Sequence, residues 1–400
     1  MKILLPSEFR DLIRFVPEFI ALCGAPFQSR IRQLHQDFDT SPFLAKIVID
    51  YHWMELCLAN LSDTDEAHDG KNIDNWCAVK FAFMCVEAHR QLTPRGRTEL
   101  EGRLRDALKS DAGFAPLYAE MDTASRFLAM GFDVGFEDMD GRAKFDFLVS
   151  DDEEACEIEC KSFSVDAGRK IHRRDFYRLV NTVEQELAAL PPNQKEALVV
   201  TLKGRLSGSE PQRKEIAQAI RSHINEPSAS ARSTEECRIE VVDLSNFDLD
   251  DDLHAKIKER FGENAHAAGA FTDTSSRMLI VRSEAEDDTS KPVLQHIRFA
   301  AEQLSKSRPG FVALQFNDTE LSDTLPDNLV RRVGILSNAA FYHYQATHLA
   351  GVFASSYRNA LGDGTDLASV RGLIILNPAK AAELGPSFRF LTDGAQDYEV

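Results

Sequence analysis

Nothing in this 400-residue chain pairs its cysteines into a staple. There are seven of them (positions 23, 57, 77, 85, 156, 160 and 237), an odd number without any Cys-x-x-Cys spacing. That argues against a disulfide framework or a thiolate zinc site and for reduced, mostly buried thiols. Cys156 and Cys160 share a strand face but lie too far apart to bridge, so they are expected to pack. No apolar run approaches the length of a membrane-spanning helix. The opening Met1-Lys2-Ile3-Leu4-Leu5-Pro6 turns charged at once and lacks the apolar core of a signal peptide. A cytoplasmic setting without a membrane partner is the expectation. The phosphate loop G-x-x-x-x-G-K-[ST], the dinucleotide fingerprint G-x-G-x-x-G, the zinc helix H-E-x-x-H and the elbow G-x-S-x-G are all missing. An ATP-driven motor and a Rossmann oxidoreductase are therefore disfavoured. Basic charge is scarce too: 46 Lys and Arg against 64 Asp and Glu leave a net charge of −18. Phosphate contacts require cations, so this balance speaks against general avidity for nucleic acid and leaves only a local basic groove open.

Residues 1–112 read as helical, by apolar spacing at Leu12, Phe15, Val16, Phe19 and Ile20, again over Pro42 to Leu61, and again over Ile73 to Leu92. Thr93-Pro94 has the form of an N-cap followed by Pro at the first helical position. These residues are expected to form a helical accessory domain. A helix from Ala115 to Met130 follows, closed by Gly131, and Phe132 to Phe136 reads as a strand. A helix from Arg173 to Leu190 precedes the apolar run Ala197 to Leu202, a buried strand of parallel type. Strands and helices then alternate to Leu376, which implies an α/β region extending the same sheet or forming a second α/β domain. Extension is the favoured expectation. The acidic runs Asp248 to Asp252 and Glu284 to Asp288 lack the Gly and terminal Glu of a calcium loop and read as solvated loops. His343 and His348 are a poor helical ligand pair and read as ordinary packing.

The chain is organised around two segments, Phe145-Asp146-Phe147-Leu148-Val149 and Cys156-Glu157-Ile158-Glu159-Cys160-Lys161, separated by the turn-like Ser150 to Glu154. Both read as strands whose alternate side chains face opposite ways. Phe145, Phe147 and Val149 then share one face and leave Asp146 on the other. Cys156, Ile158 and Cys160 separate likewise from Glu157, Glu159 and Lys161. A buried carboxylate is costly unless paired, hydrogen-bonded or bound to a metal, so Asp146 beside Glu159-Cys160-Lys161 suggests a cation site with an ammonium next to it. Glu159-Cys160-Lys161 is the only Glu-x-Lys in the chain.

This pattern resembles the PD-(D/E)xK phosphodiesterase superfamily, the restriction-endonuclease-like nucleases. The resemblance covers roughly residues 114 to 202, about a fifth of the chain. Phe145 stands where the family's Pro would be. The resemblance implies an α/β fold: a helical N-terminal region followed by a restriction-endonuclease-like mixed sheet flanked by helices. The expected division is a helical domain over 1–112, a nuclease core over 113–204 and an α/β region over 205–400.

The resemblance also implies a Mg²⁺-dependent nuclease, for which Mn²⁺ substitutes, acting on nucleic acid and on DNA rather than RNA. A prokaryotic restriction or defence setting goes with it. Asp146 and Glu159 would hold the ion with the Cys160 backbone carbonyl, and Glu120, on the preceding helix, would ligate or orient a second ion or its water. Lys161 would position or activate the attacking water. Gln185, and less strongly Tyr177, would be auxiliary groups on the following helix. Arg169, Lys170, Arg173, Arg174 and Arg178 form the one basic cluster near the motif and are the expected nucleic-acid contacts. The alternatives are a nuclease-fold protein serving as a non-catalytic nucleic-acid- or protein-binding module, and a nuclease brought to its substrate by a protein partner or a second copy.

Overall fold

The structure, a computed structural model, describes residues 3, 6, 8–63, 72–164, 166–190, 192–225, 232–245, 253–317, 327–343, 346–356, 373–388 and 391. Helices come first: α1 (Phe9–Ile13), α2 (Val16–Cys23), α3 (Ala25–Thr40), α4 (Pro42–Asp63), α5 (Ile73–Gln91) and α6 (Pro94–Ala107). Then α7 (Ala115–Ala129) leads into β1 (Asp133–Phe136), β2 (Phe147–Ser150) and β3 (Ala155–Phe163). Next are α8 (Arg173–Thr182), α9 (Glu184–Ala188), β4 (Lys195–Leu202), α10 (Glu210–Asn225), β5 (Arg232–Ser233), β6 (Cys237–Asp243), α11 (Leu253–Phe261), β7 (His266–Phe271) and β8 (Ser276–Ser283). The chain closes with α12 (Ser290–Gln303), β9 (Gly310–Phe316), α13 (Asp327–Tyr342), β10 (Leu349–Ser356), β11 (Leu373–Leu376) and α14 (Pro378–Ala381). No helix among the described residues is long and apolar enough to cross a membrane.

The protein is a mixed α/β structure with two mixed sheets, divided between two compact units. The first unit comprises Met1–Gln36, Val48–Val165 and Ser290–Val400. Its sheet runs β1-β2-β3-β9-β10-β11. The first three strands are an antiparallel meander, β3, β9 and β10 are mutually parallel, and β11 returns antiparallel. Parallel neighbours need a crossover, and helices α12 and α13 lie on the two connections. Phe147, Val149, Cys156, Ile158 and Cys160 share a core with Leu117, Met121 and Ala124 of α7 and with Phe19, Phe81 and Phe114 of the helical front. Those three phenylalanines meet at centroid distances of 5.4–5.6 Å. The N-terminal helices are thus built into the sheet's own core, and position 112 is no boundary in this unit. Helix α5 is buried nearly all round from Cys77 to Val86, beyond the one apolar face that its spacing implies.

The second unit comprises Asp37–Ile47 and Asp166–Thr289, with a sheet in the order β5-β6-β4-β8-β7. Strand β4 pairs β8 in parallel and β6 in antiparallel fashion. One face packs Leu198, Val200, Leu279 and Val281 against Phe176, Leu179, Ile216 and Ile220 of α8 and α10. The other packs Val199 and Ile280 against Ile257 and Phe261 of α11. Burial on both faces explains the unbroken apolar run of this strand.

The segment 113–204 is therefore not one core. Elements α7 to β3 belong to the first unit, whereas α8, α9 and β4 belong to the second. Strand β3 takes β9 as its parallel neighbour, and the whole of 166–289 lies within the connection between them. Only part of 205–400 extends the first sheet, through β9, β10 and β11. Smaller differences have local causes. The expected helix Arg173–Leu190 breaks at Val183 (φ −117, ψ 18) and ends at Ala188. Helices α3 and α13 and strand β7 escape the sequence reading; β7 is His-Ala-Ala-Gly-Ala-Phe, without the β-branched residues that signal a strand. The acidic run Asp248 to Asp252 lies outside the described residues. Two glycines mark sharp reversals. Gly131 ends α7 at φ +91, and at Gly168 (φ +83) a Cβ would meet the Asp288 carbonyl oxygen at 2.2 Å.

Candidate active site

The β2–β3 register pairs Phe147 with Ile158 and Val149 with Cys156. One more step would set Asp146 opposite Glu159, so both carboxyl groups lie on the sheet face away from the Phe147 and Ile158 core. The ladder stops short of that step, because β2 begins at Phe147 rather than Phe145. Where backbone pairing ends, the carboxylates take over. The Asp146 amide donates to Glu159 Oε2 at 3.2 Å, and the Cys160 amide donates to Asp146 Oδ2 at 2.6 Å. N–H and C=O of one strand residue leave by the same edge, so the Cys160 carbonyl also turns toward this opening. Asp146 and Glu159 are almost wholly buried, at 7% and 1% exposure. Burial pushes the Asp146 carboxyl well above the usual carboxylate range, and Glu120 and Glu159 add to it. Burial raises Glu159 as well, against the opposing pull of Lys161.

Glu120 arrives from α7. That helix carries Leu117, Met121 and Ala124 into the core, which leaves Glu120 at the margin of the stripe. Burial raises its pKa to about 8, with Arg103 opposing the rise and Asp138 reinforcing it. Asp138, in the loop after β1, is also raised, by burial first. Arg103 stands between these two acids, donating from Nη1 to Glu120 Oε2 at 3.1 Å and from Nη2 to Asp138 Oδ2. Helix α6 is fixed in place by its cap: Thr93 Oγ1 accepts from the Gly96 amide at 3.2 Å and donates to Asp140 at 2.6 Å. Four carboxylates (Glu120, Asp138, Asp146 and Glu159) and two cations (Arg103 and Lys161) thus make one electrostatic cluster, of which Asp138 and Arg103 carry no sequence signal.

Lys161 Nζ donates to Glu159 Oε1 and, at 2.9 Å, to Gln303 Oε1. Gln303 ends α12, and its Nε2 donates to the Lys144 carbonyl at 3.1 Å, two residues before Asp146. One amide therefore ties the ammonium to the segment that delivers the aspartate. Residues that orient a site in this way typically contribute 10–100-fold, so Gln303→Ala should lower the activity argued below by about that factor. Circular dichroism and Tm should stay near wild type, and unchanged turnover would remove Gln303 from the site.

The other expected residues fall elsewhere. Gln185 is exposed on α9 in the second unit, whereas α12 is the helix after β3 that packs on it, and its Gln303 is the amide that reaches Lys161. Arg169, Lys170, Arg173, Arg174 and Arg178 all belong to the second unit. Arg173 and Arg169 pair with the buried Asp166 at 3.3 and 3.7 Å, and Arg178 lies 3.9 Å from Asp175. The Lys170 backbone amide is held by Asp287 at 2.6 Å. Much of this cluster neutralises buried acids instead of forming an open basic face, and Asp287 is no purely solvated loop residue. Tyr177 packs on the second unit's core, with Lys46 Nζ 5.9 Å from its ring centroid. Glu157 faces the same way as Glu159 but is taken up by Ser305, whose amide donates to it at 2.7 Å. His348 bonds the Ala301 carbonyl at 2.7 Å. All seven cysteines are free, and the Cys160 thiol is held protonated by burial with Asp146 and Glu120 nearby.

Among the described residues no three His, Cys, Asp or Glu side chains converge tightly enough to hold an ion by themselves. Mg²⁺ asks less than that, since it keeps several waters and takes one or two carboxylates. Asp146, Glu159 and the Cys160 carbonyl are hard oxygen donors at one end of the ladder, and burial raises both carboxylates, with neighbouring acids adding to it. A cation relieves that strain, so the donor set suits the ion. Comparison with protein-family models, with curated proteins and with solved structures finds no match to this chain.

Proposed function

We propose that this protein is a metal-dependent phosphodiesterase of the restriction-endonuclease-like kind, a nuclease acting on DNA. The observation that carries this reading is the interlocked pair of buried carboxylates, Asp146 and Glu159, on one sheet face at the open end of a ladder with the Lys161 ammonium alongside. The order α7-β1-β2-β3-α12-β9, an antiparallel meander followed by a parallel crossover strand, supports it, with 166–289 as an insertion between β3 and α12. When bound, Mg²⁺ supplies Lewis acidity at phosphorus and lowers the pKa of a coordinated water. Asp146, Glu159 and the Cys160 carbonyl would hold it. Lys161, anchored by Gln303, points its ammonium at the same opening, where it orients the attacking water and offsets charge developing on the phosphoryl oxygens. The test is conversion of supercoiled plasmid, or of a labelled single strand, by the purified chain with Mg²⁺ or Mn²⁺ and with EDTA. Cleavage that EDTA abolishes supports the proposal; binding without cleavage would move the function to a nucleic-acid-binding module.

The raised carboxyls imply a pH dependence of defined sign. Glu120 titrates at about 8 in the fold against an ordinary 4.5, so its protonated form stabilises the ion-free protein. That contribution is complete below the ordinary value and is lost as pH rises through the folded one. Divalent ions bind the deprotonated carboxylates, so the Tm increase given by Mn²⁺ should be larger at about pH 8.5 than at about pH 6.5. An equal increase at both would separate Glu120 from ion binding.

A further inference from the structure

Arg103 is the one member of the cluster that comes from the helical front. Leu100 and Leu104 on either side of it are fully buried, so its backbone is fixed and only the side chain has freedom. Its guanidinium touches three acids at once. Nη1 reaches Glu120 at 3.1 Å, Nη2 reaches Asp138, and Nε reaches Glu99 one turn back on the same helix, also at 3.1 Å. Glu120 and Asp138 are 15% and 13% exposed, whereas Glu99 is 50% exposed and stands at the rim. Lys161 neutralises the Glu159 side of the cluster, and Arg103 the Glu120 and Asp138 side.

On the basis of the phosphodiesterase reading, we propose that Arg103 is a built-in competitor for the divalent cation. In the ion-free protein it occupies Glu120 and Asp138. When an ion loads against those acids, its Nη groups leave them and the side chain remains tethered to Glu99 at the mouth of the site. A permanently charged guanidinium is suited to this role, because it cannot be deprotonated out of the way and bridges two carboxylates that a single ammonium would reach only one at a time. The device keeps buried acids satisfied until a cation is present, and it sets the concentration at which the site fills.

The experiment is calorimetric titration of Mn²⁺ into the EDTA-stripped full-length protein, with Tm as the check on folding. Breaking charge-assisted hydrogen bonds opposes ion entry, so Arg103→Gln should bind Mn²⁺ about tenfold more tightly than wild type. Arg103→Lys should fall between the two. Glu99→Gln, at the half-exposed rim, removes the tether and should shift affinity the other way, weakening it by a few-fold. A purely structural Arg103 would change Tm without these opposite signs. Tight binding in wild type with no gain in Arg103→Gln would overturn the competitor role and leave the nuclease reading standing. No Mn²⁺ uptake in wild type or in Arg103→Gln would overturn both.

Discussion

Asp146→Ala and Lys161→Ala should each lower Mg²⁺-dependent plasmid cleavage by about 10²–10⁴-fold, the usual range for loss of a group that handles the proton or the nucleophile. The two changes act on different parts of one machine. On the proposed reading Asp146→Ala removes a carboxylate that would hold the metal, and it also frees the Cys160 amide, which now donates to it at 2.6 Å. Lys161→Ala removes the ammonium that holds Glu159 and leaves the Gln303 amide without its donor. Residues that act as a unit are far from additive, so the double variant should be little worse than the poorer single one. Mn²⁺ uptake separates the roles, since it should fall in Asp146→Ala and persist in Lys161→Ala. Equal cleavage by wild type and both variants would assign the nicking to a contaminant and end the catalytic reading.

The largest expected effect on stability lies behind the site. Asp122, two residues after Glu120 and so on the opposite side of α7, is enclosed and accepts from Lys80 Nζ of α5 at 3.1 Å and from Arg126 Nη2 at 2.6 Å. Burial alone would raise its pKa, but Arg126 and Lys80 prevail and hold it below the usual range. Removing one partner of a buried ion network strands the others, so Asp122→Ala should lower the unfolding free energy by about 3–5 kcal/mol in denaturant titrations. The pKa is depressed in the fold, so this contribution is present above the ordinary carboxylate value and is lost as acid protonates the group. Activity at low temperature should survive in the fraction that folds, because Asp122 does not touch the carboxylate cluster through any bond described above. A loss below about 1 kcal/mol would mean that Lys80 and Arg126 find water.

Most elements were legible because they rest on local rules. The Thr93-Pro94 cap and the stop at Gly131 each depend on a few neighbouring side chains. The face assignment of Asp146 and Glu159 was legible for the same reason, since strand alternation has a period of two. Glu157 shows the limit of that reasoning. It shares the face and the charge of Glu159, and Ser305 and Arg308, brought back by the turn after α12, separate its role from the other. Gln303 and Arg103 lay beyond reach altogether. Gln303 is 142 residues from Lys161 in the chain, and the expected helper, Gln185, sits on a helix that packs elsewhere.

What the amino-acid order determined by itself is most of the helices and strands, the two-faced β-segments and the identity of the Asp and the Glu-x-Lys. Spacing, caps and turn residues encode these within a few positions. Which strand lies beside β3 was decided only by the tertiary structure, and so were the insertion of 166–289 into that crossover and the arrival of Arg103 and Gln303 at the cluster. Apolar strands such as β4 and β9 look alike in one dimension, and their partners are chosen by which pairing buries both faces best.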